Sequence, residues 1–283
     1  GLQGQWADDV HHALHVALTG ETSGYYGDFG GLPVLAKVLR GVFLHDGTWS
    51  SFRGRAHGRP VPPTVPGHRF VTYLQDHDQV GNRAGGDRLS ATLSDGRLKV
   101  GAALLLTSPF TPMLWMGEEW GARTPWQFFS DHEGELGDAV RTGRRAEFAG
   151  HGWDTDDVPD PQAEQTFLDS KLDWSELDDE RSASLLGWYR DLLALRRALP
   201  ELTDGRRDRV AVEVDDDAQW IVVRRGDVAV ACNLSERRQR LPLPAAPESV
   251  LLASAPGFVF ADGAVEVDGE SAVILQLTSS GAG

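Results

Sequence analysis

The fold is decided by residues 70–83, FVTYLQDHDQVGNR. Phe70, Val71, Thr72, Tyr73 and Leu74 are aromatic, β-branched or aliphatic, and Pro66-Gly67 precedes them, so the segment opens as a strand. The apolar run stops abruptly at Gln75, Asp76, His77, Asp78 and Gln79. A strand that ends in two carboxylates and an imidazole is typical of α/β enzymes, whose function gathers at the carboxyl ends of parallel strands. Folding alone has little use for such a cluster.

Upstream, residues 1–15 (GLQGQWADDVHHALH) repeat the pattern: a short strand over residues 2–6 gives way to Asp8, Asp9, His11 and His12. His11 and His15 stand at i, i+4, a spacing metal ligands sometimes use on a helix. With no HExxH and no nearby cysteine, a polar strand end lining a pocket is the preferred reading, with no metal. Residues 31–43 (GLPVLAKVLRGVF) show helical spacing, with Pro33 near the start. Residues 46–69, rich in Gly, Pro, Arg and His, form a long loop, and loops of that length in compact domains are functional or disordered.

Downstream, Asp95–Leu106 reads as an apolar helix that stops before Pro109. Residues 113–116 read as a buried strand followed by Glu118 and Glu119. Strands alternating with helices imply right-handed βαβ units and a parallel sheet. Residues 124–174 are Trp-, Phe- and Asp-rich and irregular apart from a helix near 138–148, and residues 180–199 form an amphipathic helix that Asp178 or Asp179 can cap. From about residue 206 the period becomes two. Strands over 210–214, 219–225, 228–234, 239–243, 249–254 and 272–277 predict a small antiparallel β domain. Arg225-Gly226-Asp227 falls between two of these strands and reads as a hairpin turn.

Composition narrows the function. A net charge of −15 argues against nucleic acid and anionic membranes as partners. The single cysteine, Cys232, rules out an intrachain disulfide framework and suits a reducing, cytoplasmic setting. Apolar runs such as 102–106 are too short to span a bilayer, and no signal-peptide pattern is present. The chain opens on Gly-Leu-Gln rather than Met, which hints at a truncated fragment, although removal of an initiator Met would also produce it. Nine tryptophans offer platforms for sugar rings, although most such residues are core.

Paired carboxylates beside Trp and His suggest glycoside hydrolysis, which needs an acid together with a nucleophile or base. On an extended segment Asp76 and Asp78 would point the same way, about 6–7 Å apart. Two carboxylates approaching a ring from one side make poor partners as acid and nucleophile. Asp78 as a lone charge stabilising an oxocarbenium-like transition state, with His77 hydrogen-bonding a sugar hydroxyl, fits better.

LQDHDQVGNR resembles the segment around the seventh barrel strand of the α-amylase superfamily. QWADDVHHALHVALTGETSGYYGDF, TPMLWMGEEWGARTPWQFFSDHEGEL, RRAEF and TFLDSKLDW resemble the maltooligosyltrehalose trehalohydrolase family within it, without a break from residue 1 to about 200. The resemblance implies the C-terminal part of a (β/α)8 barrel, about strands 6–8, over residues 1–205, followed by an antiparallel β-sandwich over 206–283. It implies hydrolysis of the α-1,4 bond beside a terminal trehalose of a maltooligosaccharide-type substrate, without a cofactor; a branching or debranching relative and a non-catalytic glucan-binding fragment are the alternatives. By the same resemblance Asp78 is the transition-state stabiliser, and His77, Gln79, Val80, Gly81, Asn82 and Arg83 line central subsites. Asp8, Asp9, His11 and His12 contact substrate from the preceding strand end, and Trp126, Phe128 and Phe129 shape the trehalose-recognising end. Asp76 stands where the family has Asn, and a like charge beside Asp78 is expected to raise one pKa. The family's nucleophile and acid/base lie on strands four and five, so the N-terminal remainder of the same enzyme is the expected partner, and the fragment alone is expected to be inactive and marginally stable.

Overall fold

The computed structural model describes residues 2–149 and 158–278. In chain order it begins with β1 (Gln5–Trp6), α1 (Asp8–Thr19), α2 (Leu32–Gly41), β2 (Trp49–Ser50), β3 (Arg55–Ala56) and β4 (Phe70–Thr72). It continues with α3 (His77–Gly81), α4 (Leu89–Thr92), α5 (Asp95–Leu106), β5 (Thr111–Pro112), α6 (Gly134–Ala149), α7 (Glu164–Asp169), α8 (Glu180–Ala198) and α9 (Pro200–Thr203). Eight strands follow: β6 (Val210–Asp215), β7 (Trp220–Arg225), β8 (Val228–Asn233), β9 (Gln239–Pro242), β10 (Pro247–Ala253), β11 (Phe258–Ala261), β12 (Ala264–Val267) and β13 (Ser271–Leu277). The chain forms two compact units, one of residues 1–74, 93–113 and 187–283, the other of residues 75–92 and 114–186.

In the first unit, β1, β4 and β5 form a parallel sheet in that order, with Trp6 opposite Val71 and Thr72 opposite Pro112. These strands are shorter than expected. β1 ends at Trp6, and Asp8 already opens α1, where Asp8 and Asp9 complement the positive end of the helix dipole. α1 closes on Gly20, whose left-handed φ of 75° lets its N–H reach the Val16 carbonyl at 2.8 Å. Residues 113–116 are not a buried strand. Only Thr111 and Pro112 pair with β4, and Met116 is 39% exposed, because the chain leaves the sheet after Met113 donates to the Thr72 carbonyl. Residues 46–69 contain the β2–β3 hairpin and a turn of 3-10 helix at Gly67–Arg69.

α5 occupies the range its pattern predicts and is capped by Ser94, whose hydroxyl accepts from Arg97 N. It is apolar nearly all round because it is buried, packing on α1, β8 and β13. The β-rich part comprises a five-stranded sheet (β10-β13-β8-β7-β6) and a three-stranded sheet (β11-β12-β9), both antiparallel. Val222, Ala229, Ala231, Val273 and Leu275 of the larger sheet share a core with Leu241, Val265 and Val267 of the smaller. β11 and β12 are additional to the six predicted strands. Arg225-Gly226-Asp227 does form the β7–β8 turn, with Arg225 paired to Val228 and Gly226 at φ 60°.

Arginines tie the elements of this unit together, and Arg97 joins its helical and β parts. Arg97 bonds Glu270 at 2.7 Å and the carbonyls of Leu18 and Leu234. Arg196 donates to the carbonyls of Leu106, Ser108 and Phe110.

In the second unit, α6 begins at Gly134, earlier than expected, and α8 begins at Glu180 with the Asp179 carbonyl accepting from Ala183 N. The segment 124–174, expected to be mostly irregular, also carries α7, and its residues 150–157 lie outside those described.

Candidate functional site

Two groups of site residues emerge, one in each unit. In the first unit, Asp8, Asp9, His11 and His12 stand in the opening turns of α1, not on a strand end. Asp8 is exposed and its Oδ1 accepts from the Tyr73 hydroxyl at 2.7 Å. Asp9 turns inward, where Oδ2 accepts from Leu44 N at 2.7 Å and His45 N at 3.4 Å. Burial raises its carboxyl pKa, and those two N–H groups pull the other way.

His11 is 1% exposed and stacked on Tyr73, with ring centroids 5.1 Å apart. His15 stacks on Tyr26 at 4.3 Å and its Nε2 pairs with Glu21 at 2.9 Å. Burial holds His11 well below the ordinary imidazole range, with the neighbouring histidines adding to the effect. Burial takes His12 down to about 4, against the pull of Asp8. The His11 and His12 rings are therefore neutral at physiological pH and pack as aromatics. Asp9 and His11, expected to touch substrate, face the protein interior, whereas Asp8 and the half-buried His12 remain accessible. Among the described residues, no group of three or more His, Cys, Asp or Glu is placed to hold a metal ion.

Sequence reasoning missed the continuation of this group. His12 lies against Tyr25 at 5.0 Å, and Tyr25 meets Phe52 edge-on at 6.2 Å. Phe52, in the β2–β3 hairpin, is 63% exposed, and neighbouring Trp49 is 66% exposed. The hairpin is held firmly, since Asp28 Oδ2 accepts from Ser51 N at 2.8 Å and lies 3.4 Å from His45 Nε2. The length of loop 46–69 was the one available signal.

In the second unit, Asp76 and Asp78 do not alternate along a strand. Asp76 is the N-cap of α3, its Oδ1 accepting from Gln79 N at 2.7 Å, while Asp78 lies in the first helical turn. The backbone turns here because Asp76 satisfies a helix N–H that would otherwise be orphaned. Asp76 is 5% exposed, and its pKa is raised chiefly by burial; the Gln79 N–H opposes this, and the charge of Asp78 ranks only after it. The expected like-charge effect is thus real but subordinate.

The Asp78 side chain is 67% exposed, with Oδ1 3.3 Å from His77 Nε2. From His77 a series of rings runs through Trp115 (5.9 Å), Trp126 (5.2 Å from Trp115), Phe129 (5.5 Å) and Phe167 (5.2 Å). Phe128 is 44% exposed beneath the Arg144 guanidinium. Of residues 79–83, Val80 and Gly81 are buried, Gly81 close against Trp126; Asn82 is exposed, and Arg83 pairs with Asp87 at 2.7 Å. Glu118 and Glu119 serve a tight turn, accepting from Trp115 N and Gly117 N. An exposed carboxylate flanked by an imidazole and aromatic walls can stabilise positive charge on a neutral, hydroxyl-rich ligand.

Comparison with known proteins gives the class first. A solved Salmonella typhimurium protein provisionally described as an α-amylase superposes with a TM-score of 0.83 at 38% identity, covering 97% of this chain and 47% of that one. The α-amylase from H. orenii shares the fold alone, with a TM-score of 0.57 at 15% identity. Residues 205–274 match the family model described as a domain of unknown function, DUF3459.

By sequence the chain is similar, over nearly all of its length, to the malto-oligosyltrehalose trehalohydrolases. It is 54% identical to the one from Arthrobacter ramosus over 282 residues, and 52% identical to that from Brevibacterium helvolum over 278 residues, in each case 98% of this chain. It spans about half the length of these relatives, 47% of each.

Proposed function

We propose that this chain is the C-terminal part of a trehalose-releasing glycoside hydrolase, carrying about strands 6–8 of a (β/α)8 barrel as β1, β4 and β5 over residues 1–205 and a β-sandwich over 206–283. The match of residues 205–274 to a family model supports that boundary. The substrate is a maltooligosaccharide ending in trehalose, and the bond cleaved is the α-1,4 linkage beside that unit. The observation that carries this reading is the exposed Asp78, held beside His77 at the start of α3.

Asp78 stabilises the oxocarbenium-like charge, and His77 bonds a sugar hydroxyl. Asp8, His12, Tyr25 and Phe52 provide a second substrate-facing surface, and Trp126, Phe128 and Phe129 close the trehalose end. The acid and the nucleophile come from the remaining length that the relatives possess. No helix among the described residues is long and apolar enough to cross a membrane, and Cys232 is buried and free, which suits a reducing cytoplasm.

Trehalose release from maltooligosyltrehalose tests the reading. The full-length protein releases it, Asp78→Asn lowers kcat about 1000-fold with little change in binding, and the 283-residue chain alone releases none. Trehalose release by the isolated chain, or full activity in the Asp78→Asn enzyme, would defeat it.

A further inference from the structure

A groove runs along residues 206–210 of the first unit. It consists of adjoining cavities of about 240, 270 and 380 Å³; the first two share Arg209 and Gly226, and the last two share Asp208 and Val210. Six arginines line it: Arg40, Arg206, Arg207, Arg209, Arg224 and Arg225. The carboxylates along it are Glu201, Asp204 and Asp208. In a chain with 42 acidic and 27 basic residues, that inversion calls for a reason.

Part of this positive charge is not neutralised locally. Arg206 is closed off by a two-pronged bond to Asp204, which holds that carboxyl near a pKa of about 2. Arg224 pairs loosely with Asp227, at 3.8 Å, and its Nε donates to the Gly226 carbonyl at 2.8 Å. Arg225 is 1% exposed, and its guanidinium donates to the main-chain oxygens of Thr107, Glu201 and Asp204. Arg207 likewise donates to the carbonyls of Arg40, Val61, Pro62 and Val65. No hydrogen bond or ion pair is seen for the Arg209 side chain among the described residues, although its charge helps to lower the Asp204 pKa. Carbonyls satisfy donors but do not cancel charge, so Arg225 and Arg207 rely on Asp204 and Asp208, which are shared with Arg206 and Arg209.

Two further features shape the middle of the groove. Gly226 carries no side chain, and a Cβ there would come within 2.9 Å of Glu201 Cγ, so the β7–β8 turn stays open between Arg209 and Arg225. Glu201 Oε2 is buried without a hydrogen-bond partner, an acceptor that wants a hydroxyl.

We propose that the groove around Arg209, Arg225 and Gly226 binds a phosphate group, either free or carried on a sugar. The Arg209 fork matches its oxygens bidentately, and the buried Arg225 adds positive charge behind it. The site lies wholly within the first unit and does not depend on the glycosidase assignment.

Calorimetric titration of the 283-residue chain with inorganic phosphate and with glucose 6-phosphate, at ionic strength fixed with chloride, tests it. Saturable binding is expected, weakened at least tenfold in Arg209→Ala and partly retained in Arg209→Lys, which keeps the charge without the fork. Tighter binding of glucose 6-phosphate identifies the sugar-borne form; equal binding identifies free phosphate. Circular dichroism confirms that each variant folds, and Arg224→Ala serves as a second variant, expected to weaken binding as well. Heats no different from those of chloride, or undiminished binding in both alanine variants, would overturn the proposal.

Discussion

The two acid–histidine clusters look alike in sequence, ADDVHH and QDHDQ, but the fold treats them oppositely. In the first unit the imidazoles of His11 and His15 are stacked against tyrosines and buried, and Asp9 ties down main chain. In the second, His77 and Asp78 project from the first turn of α3 with more than half of each side chain exposed. One cluster is architecture that leaves Asp8 and His12 at its surface; the other is an exposed charge on a capped turn. Residue type alone does not separate scaffold from reagent. Whether a neighbouring backbone N–H or a neighbouring ring claims the side chain does.

The sharpest way to break this contrast is by deletion. His11→Ala removes a ring packed on Tyr73 and should cost about 3 kcal/mol, whereas His77→Ala should stay within about 0.5 kcal/mol. Denaturant midpoints at neutral pH measure both, and equal losses would erase the distinction.

Acid sharpens the contrast next. The folded pKa of His12 lies at about 4, below the unfolded 6.5, so the unfolded chain binds more protons in that window. Stability from the buried histidines is therefore complete above pH 6.5 and lost as pH falls toward 4, with His12 contributing on the order of 3 kcal/mol at most. Unfolding midpoints across that range should fall steeply in the parent chain and less so in His12→Phe.

A smaller effect is expected at the N-cap. Asp76 has a raised folded pKa, so its ionised form opposes folding above that pKa, and the penalty disappears as pH falls below 3.8. Asn caps as well as Asp without the buried charge, so Asp76→Asn should add up to about 1 kcal/mol at pH 7 and nothing below pH 3.8, whereas Asp76→Ala should lose about 1 kcal/mol with the cap. Thermal melts at the two pH values distinguish these outcomes.

Smallest in stability is Phe52→Ala, within about 0.5 kcal/mol because the ring is largely solvated. In the full-length protein, under the proposed function, it should nevertheless raise KM about tenfold, a measurement that separates an exposed binding ring from an idle one.

Much of this was legible in sequence wherever periodicity and local chemistry agreed. α5 occupies its predicted range because Ser94 caps it and its apolar residues have helices and sheet to meet. The β6–β7–β8 meander followed from period two and the Gly226 turn. Sequence misled where a short polar motif admitted two backbones. QDHD reads equally as a strand tip or as a helix cap, and only the Gln79 N–H bonded to Asp76 decides. MLWM looked like a strand because apolar residues also line turns that lead away from a sheet. The Tyr25–Phe52 continuation was hidden because two segments 27 residues apart are brought together by the Asp28 anchor of the hairpin.

The arginine seam has a consequence for inheritance. A recombination breakpoint near residue 205 would seem harmless, falling at the start of a recognisable sequence family. Yet Arg225 reaches back to the carbonyl of Thr107, and Arg97 reaches forward to Glu270 and Leu234. A foreign β domain joined there would have to present matching partners at both places. These two halves of the gene should therefore travel together, and shuffled descendants that separate them should be rare.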